Sequence, residues 1–373
     1  SVSCFTGMVK VGWEWRPMIQ KVDISKFDPN GAGLENSGIF GLPFDCDESN
    51  LVLIPVPWEA TTSYGRGTSA GPRAILQASP QLDLFDHELG QLGMAQPWHY
   101  GISLQAEDMA LVEANAEACS LAQPIIALGG ELAGDSQLLG DLQRVNQLTQ
   151  QMCDWVRERT LYWRSRGKLV GLVGGDHSTP LGMIEALSLE YPQMGVLQID
   201  AHADLRVAYE GFVHSHASII HNVLQRTHVS RVVQVGIRDF SEFEFEAARQ
   251  HPKVQTFYDA DLKDRLCRGD SWDALCREIV SHLPDQVYVT FDIDGLDPSL
   301  CPHTGTPVAG GFRFHEAVYL LKTLVRMGKR IVGFDLNEVA PGPNEWDGNV
   351  GARLLYKLCG LSLLSAIVDT EKC

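Results

Sequence analysis

Three layers, with a central, mostly parallel sheet and helices on both faces, are the α/β architecture that the sequence predicts. Three observations lead there. Short apolar runs rich in β-branched residues recur along the chain. They are continuous rather than alternating, as strands buried on both faces require. Stretches with apolar residues at three-to-four spacing, such as 141–166 and 314–327, lie between several of them, so strand and helix alternate. The ionisable residues that stand out follow the apolar runs directly, at the edge of a parallel sheet where ligands bind.

In chain order, residues 1–45 are rich in Gly, Pro, Asp and Trp without a sustained period, and are predicted to form an N-terminal arm. Residues 46–373 show no repeat, low-complexity tract or linker, and are predicted to form one domain. Its predicted strands are "LVLIPVP" (51–57), "PIIALGG" (124–130), "KLVGLVGG" (168–175), "GVLQID" (195–200), "RVVQVGIRD" (231–239), "QVYVTFDID" (286–294) and "RIVGFDLNEV" (330–339).

Of the 373 residues, 45% are hydrophobic and 21% charged, enough apolar material for a sizeable core. A formal charge of −17 disfavours nucleic acid or an anionic membrane as partner, since both need clustered Lys and Arg. No apolar run reads as membrane-spanning, and "SVSCFTGMVKVGWEWRP" is too aromatic and interrupted for a signal peptide. Nine scattered cysteines without a C-x-x-C pair point to a reduced, cytoplasmic chain.

His177 follows "LVGLVGGD"; Asp200, His202 and Asp204 follow "GVLQI"; Asp292 and Asp294 follow "QVYVTF"; Glu338 follows "IVGFDLN". Four aspartates with two imidazoles, bare, would be costly to desolvate. Calcium does not choose imidazole, and a single zinc takes fewer ligands with more Cys or His. The mixture suits Mn, Fe, Co, Ni or Zn, and six groups suffice for a pair of ions if carboxylates bridge. Four carboxylates against two divalent ions leave a neutral shell that can still deprotonate water for attack on an electrophilic carbon. Asp176 and Asp297 read as turn or cap residues. His303 reads as a mouth residue or a locally bonded one. Glycines 174, 175, 310 and 311 read as turn residues, since no phosphate-binding pattern surrounds them.

"GGDHS" (174–178), "DAHAD" (200–204), "DIDGLDPS" (292–299), "TGTPVAGG" (304–311) and "EVAP" (338–341) resemble, in order, signatures of the ureohydrolases, the family of arginase and agmatinase. "TTSYGRGTSAGPRAI" (61–75) is similar to the agmatinase-like branch, and the resemblance covers roughly residues 50 to 340. It implies an arginase-like fold with two metals. His177, Asp200, Asp204 and Asp292 would hold one, and Asp200, His202, Asp292 and Asp294 the other. Glu338 would grip a substrate guanidinium. His216 would pass a proton to the departing amine. The chain reads His216-Ala217-Ser218 where the family has His-Gly-[Ser/Thr], and His214 competes for that role. The family also implies a homohexamer.

After Asp204 the chain carries Arg206, Val207 and Tyr209, unlike arginases, and Arg206 would repel the second cation of agmatine. In "PGPNEWDGN" (341–349), Trp346 is bulky enough to close a tail pocket. The arm and the "SHASI" variant most resemble the guanidine hydrolases of bacteria and cyanobacteria. That resemblance implies free guanidine as substrate and nickel as metal, with manganese as the alternative. Guanidinobutyrate, held by Arg206, and agmatine are the competing substrates. A metallophosphatase would need a G-N-H-[DE] segment, which is absent. A metal-free scaffold would have no use for all six ligands and Glu338.

Overall fold

The structure, a computed structural model, describes residues 19–25, 27–31, 33 and 37–371, together with the backbone of three short preceding strands. These are β1 (Cys4–Phe5), β2 (Met8–Val11) and β3 (Glu14–Pro17), paired antiparallel in a stretch where the sequence shows no period. Eight further strands form one sheet: β4 (Leu51–Val56), β5 (Ile102–Leu104), β6 (Leu169–Gly174), β7 (Gly195–Ile199), β8 (Arg231–Ile237), β9 (Val254–Tyr258), β10 (Gln286–Asp292) and β11 (Arg330–Asn337). Their order is β5-β4-β6-β11-β10-β7-β8-β9, and every neighbouring pair is parallel.

The helices are α1 (Gly71–Ala78), α2 (His87–Gly90), α3 (Met109–Ala127), α4 (Ser136–Ser165), α5 (Leu181–Glu190), α6 (Ile219–Arg226), α7 (Glu242–Gln250), α8 (Asp259–Cys267), α9 (Trp272–Ser281), α10 (Phe314–Arg326) and α11 (Trp346–Glu371). Alternate strand residues sort them into two layers. Leu51, Leu53, Val287, Val289 and Phe334 pack in one core with residues of α1, α9, α10 and α11. Val52, Ile54, Val170, Leu172 and Val196 pack in the other with α4, α5 and α6. A strand period of two thus separates two apolar faces, which gives the predicted three layers. Ile39, Phe40 and Leu42 are buried in the first core, so the predicted arm joins the body before residue 45.

Helix boundaries follow local chemistry. Asp135 accepts from the backbone N–H groups of Gln137 and Leu138, starting α4 ahead of the predicted 141. Val145, Leu148, Met152 and Val156 give that helix its buried face. Glu316 accepts from the Arg313 backbone at the start of α10, where the periodicity predicts a helix.

Three expectations change. "PIIALGG" is not a strand: α3 runs through it to Ala127, and Ala118, Ala122 and Ile125 are buried at helical spacing. A short apolar run does not distinguish the two states by itself. Strands β5 and β9 carry little strand signal in the sequence because they are the sheet's edges. β5 has three residues and β9 is largely half-buried, so neither shows a long apolar run. Trp346–Ile367 is long and apolar enough to cross a membrane by composition, yet it is 83% buried inside the protein. Its leucines join the first core, where each buried side chain contributes roughly 1.5–3 kcal/mol.

Strands β6, β11, β10 and β7 are consecutive neighbours in the sheet. They are the four whose carboxyl ends carry His177, Glu338, Asp292 and Asp200. Their close approach explains the first glycine of "GGDHS". A Cβ on Gly174 would lie 1.7 Å from Asn337 Oδ1 and 2.3 Å from Thr179 Oγ1. Gly174→Ala should therefore lose at least about 1–3 kcal/mol of stability, as overpacking does. An unchanged denaturant midpoint would show that Asn337 yields freely.

Candidate functional site

At that carboxyl edge the six predicted metal ligands converge. His177 Nδ1 lies 2.9 Å from Asp200 Oδ2, 3.2 Å from Asp204 Oδ2 and 3.4 Å from Asp292 Oδ2. His202 Nδ1 lies 3.1 Å from Asp294 Oδ2 and 3.6 Å from Asp200 Oδ1. Asp200 thus offers one oxygen to each histidine. Backbone contacts fix the carboxylates: Asp200 Oδ1 accepts from His202 N, Asp292 Oδ1 from Asp294 N, and Asp294 Oδ1 from Ala201 N. Gln198 Nε2 donates to Asp200 Oδ2.

This donor set fits a pair of divalent ions. Atoms sharing one ion through bonds of about 2.1 Å stand roughly 3.0–3.4 Å apart, close to the spacings around His177. Two groups of potential ligands form, His177–Asp200–Asp292 and Asp200–His202–Asp294. His177 Nδ1 and Asp294 Oδ2 are buried without a hydrogen-bond partner. Burial, then the neighbouring Asp200, pushes the Asp204 carboxyl up to about 7. Burial, then Asp294 and Asp200, raises Asp292. Protein groups alone leave the cluster short of positive charge, which divalent cations would supply.

Glu338 is buried just behind the cluster, with φ 65°, a left-handed conformation uncommon outside glycine. Its Oε1 accepts from His177 N at 2.8 Å, and Thr304 Oγ1 holds its carbonyl. Burial, then Asp176, raises its carboxyl above the usual range. A Cβ on Gly305 would lie 2.9 Å from Gly65 O, so the glycine lets these two segments meet, with Glu338 Oε2 at ordinary contact distance.

A cleft of about 540 Å³ opens over the cluster, lined by His202, Asp204, His216 and Arg206 among others. Burial, then His202, pushes His216 down to about 4, and its Nε2 is buried without a partner. His214 does not line the cleft; its Nε2 faces Arg226 at 3.4 Å, and burial, then Arg226, pushes it to about 4. Arg206 lies 4.8 Å over the Tyr209 ring, with its Nε 3.7 Å from Glu244 Oε2. Glu244 screens the charge that the sequence assigns as repulsive.

Trp346 is not in the cleft. It starts α11, and its Nε1 donates to Ser299 O at 2.9 Å, so it anchors a loop. His303 bonds to Asp347 rather than to a carbonyl, through Nδ1 at 2.8 Å. Asp297 accepts from Ser299 N as a turn residue, and Gly310 and Gly311 take the positive φ of a turn. Asp176 is a buried turn residue that accepts from Ser178.

Sequence reasoning missed Asp239, Tyr64 and Phe240, which line the cleft. Asp239 Oδ2 lies 3.7 Å from His202 Nε2. It ends the apolar run "RVVQVGIRD", so the strand-end rule that found the other aspartates reaches it too.

An α/β protein with a candidate site for two divalent ions at the carboxyl edge of its sheet is the class these observations define. The chain belongs to the arginase family, whose model matches residues 49–360, and it is a ureohydrolase of the binuclear-metal type. It is 30% identical over 315 residues to an N(1)-aminopropylagmatine ureohydrolase of Synechocystis sp., covering 84% of this chain and 89% of that one. It is 32% identical over 320 residues to the protein of that name from Thermus thermophilus, covering 86% and 92%. The solved agmatine ureohydrolase of Thermoplasma volcanium superposes with a TM-score of 0.65 at 22% identity, over 91% of this chain and 97% of that one, a likeness of fold.

Because Trp346 lies outside the cleft, Trp346→Ala should leave the ranking of guanidino substrates unchanged in a urea-release assay. A changed ranking would return Trp346 to the substrate pocket.

Proposed function

We propose that this ureohydrolase acts on free guanidine, giving urea and ammonium. The observation that carries the substrate half of this reading is Arg206, a cation stacked on Tyr209 in the cleft wall that also contains His202 and Asp204. Glu244 takes up part of that charge, and free guanidine, which carries no cation beyond its reacting group, sets no further like charge against the rest.

His177, Asp200, Asp204 and Asp292 would hold one ion, and Asp200, His202, Asp292 and Asp294 the other, with nickel favoured and manganese the alternative. When bound, such ions neutralise the carboxylates and make water nucleophilic at neutral pH. The protein's own groups do the rest. Glu338 Oε2 accepts guanidinium N–H bonds, since Oε1 is committed to His177 N. A new C–O bond forms at the guanidinium carbon as one C–N bond breaks. His216, a neutral imidazole, takes a proton from the attacking water and delivers it to the departing nitrogen. His214, turned toward Arg226, lacks that access. Guanidinium plus water thus becomes urea plus ammonium, with charge conserved.

A second reading, a guanidino compound with a cationic tail, is favoured by Asp239, whose largely exposed carboxylate lines the cleft. The names of the relatives point the same way. Under it, Glu244 would cancel Arg206 and Asp239 would receive an ammonium.

Urea release from guanidine, agmatine, aminopropylagmatine and 4-guanidinobutyrate, with nickel and with manganese, separates these readings. We expect kcat/KM for guanidine at least about tenfold above the others. A faster rate on agmatine or aminopropylagmatine defeats the free-guanidine reading. A faster rate on guanidinobutyrate that Arg206→Ala abolishes makes the enzyme a guanidinobutyrase.

Glu338→Gln keeps shape and removes the charge facing the guanidinium. A charge-assisted bond contributes about 1.5–3 kcal/mol, so activity should fall roughly tenfold or more with metal content intact. Loss of metal together with activity would make Glu338 structural instead.

A further inference from the structure

Beneath the cluster lies a buried polar chain that the reaction does not use. His177 Nε2 is 2.8 Å from Thr290 Oγ1 on β10, and Thr290 Oγ1 is 2.9 Å from Asp335 Oδ1 on β11. All three side chains are essentially inaccessible to solvent. Asp335 Oδ1 also accepts from Phe291 N at 3.2 Å and from Asn337 Nδ2 at 2.6 Å. The Asn337 amide is oriented in turn by the Thr179 hydroxyl, 2.7 Å from its Oδ1.

These contacts determine where the protons are. Asp335 Oδ1 already receives two N–H groups, so it acts as an acceptor towards Thr290. The single hydroxyl proton of Thr290 is therefore spent on Asp335, and towards His177 that oxygen offers only a lone pair. His177 must then carry its proton on Nε2. In the neutral ring that binds metal, Nδ1 would then present its lone pair among the carboxylates of Asp200, Asp204 and Asp292.

We infer that Thr290 is a positioning residue that fixes the His177 tautomer for metal binding, with Asp335 setting the direction of its hydroxyl. The inference rests on His177 being a ligand, as proposed above. Partners that fix a ligating histidine in this way typically affect metal affinity by about 10–100-fold.

The test is a chelator-competition titration of zinc into metal-stripped protein, comparing the unmutated chain with Thr290→Val, Thr290→Ser and His177→Ala. Valine keeps the shape of threonine and loses the hydroxyl; serine keeps the hydroxyl. Thr290→Val should weaken one of two binding steps by about 10–100-fold. Thr290→Ser should stay near the unmutated affinity, and His177→Ala should lose the affected step. Native-like binding by Thr290→Val overturns the inference. So does equal weakening in Thr290→Ser, which would assign the effect to packing of the methyl group. If His177→Ala keeps both steps, the ligand reading itself fails. On the unmutated protein labelled with 15N-histidine and loaded with zinc, His177 should show a protonated Nε2. A protonated Nδ1 overturns the inference whether or not the variants fold.

Discussion

The carboxylate of Asp200 is the constraint on which the site depends. It is fully buried, with one oxygen directed to His177 and the other towards His202. Burial works against its ionisation, which the His202 backbone N–H and Gln198 Nε2 offset by donating to its two oxygens. Three more aspartates crowd the same place, and their mutual repulsion is tolerable only around compensating positive charge. Two divalent ions held by these residues would supply that charge and the means to activate water.

The rest of the architecture brings these groups together and keeps them oriented. Four neighbouring strands end at one edge, each delivering a ligand or Glu338 from a different part of the chain. Gly174 lets Asn337 approach. Arg238 donates to the carbonyls of Asp294, Leu296 and Val308, tying the turn that carries Asp294 to the cleft wall. Glu338 holds a left-handed backbone at the point where β11 leaves the sheet. Such strain persists where the surroundings over-determine it, and here a bond at each end of the residue does so.

The cluster was legible in the sequence because its geometry is encoded by counting. Polar residues immediately after buried strands must lie at the sheet edge, whatever the distances between them in the chain. The "DAHAD" spacing also puts several ligands on one short segment. What depended on loops was less legible. Trp346 reads as a pocket wall until its indole is seen to bond Ser299. Arg206 reads as an unpaired cation until Glu244, 38 residues later, comes beside it. At the margins of the sheet the signal itself is weak, because half-exposed strands such as β9 lose the apolar run that marks the central ones. The helical end of α3 has the opposite fault, an apolar run dense enough to pass for a strand.

The most direct test of this account is the metal content of the purified chain beside that of Asp200→Asn, measured together with urea release. The account predicts two divalent ions per chain in the unmutated protein. The variant, lacking the charge shared between both groups of ligands, should hold fewer and be nearly inactive. A variant with full metal content and near-native turnover would contradict the bridging role of Asp200 and the site built around it.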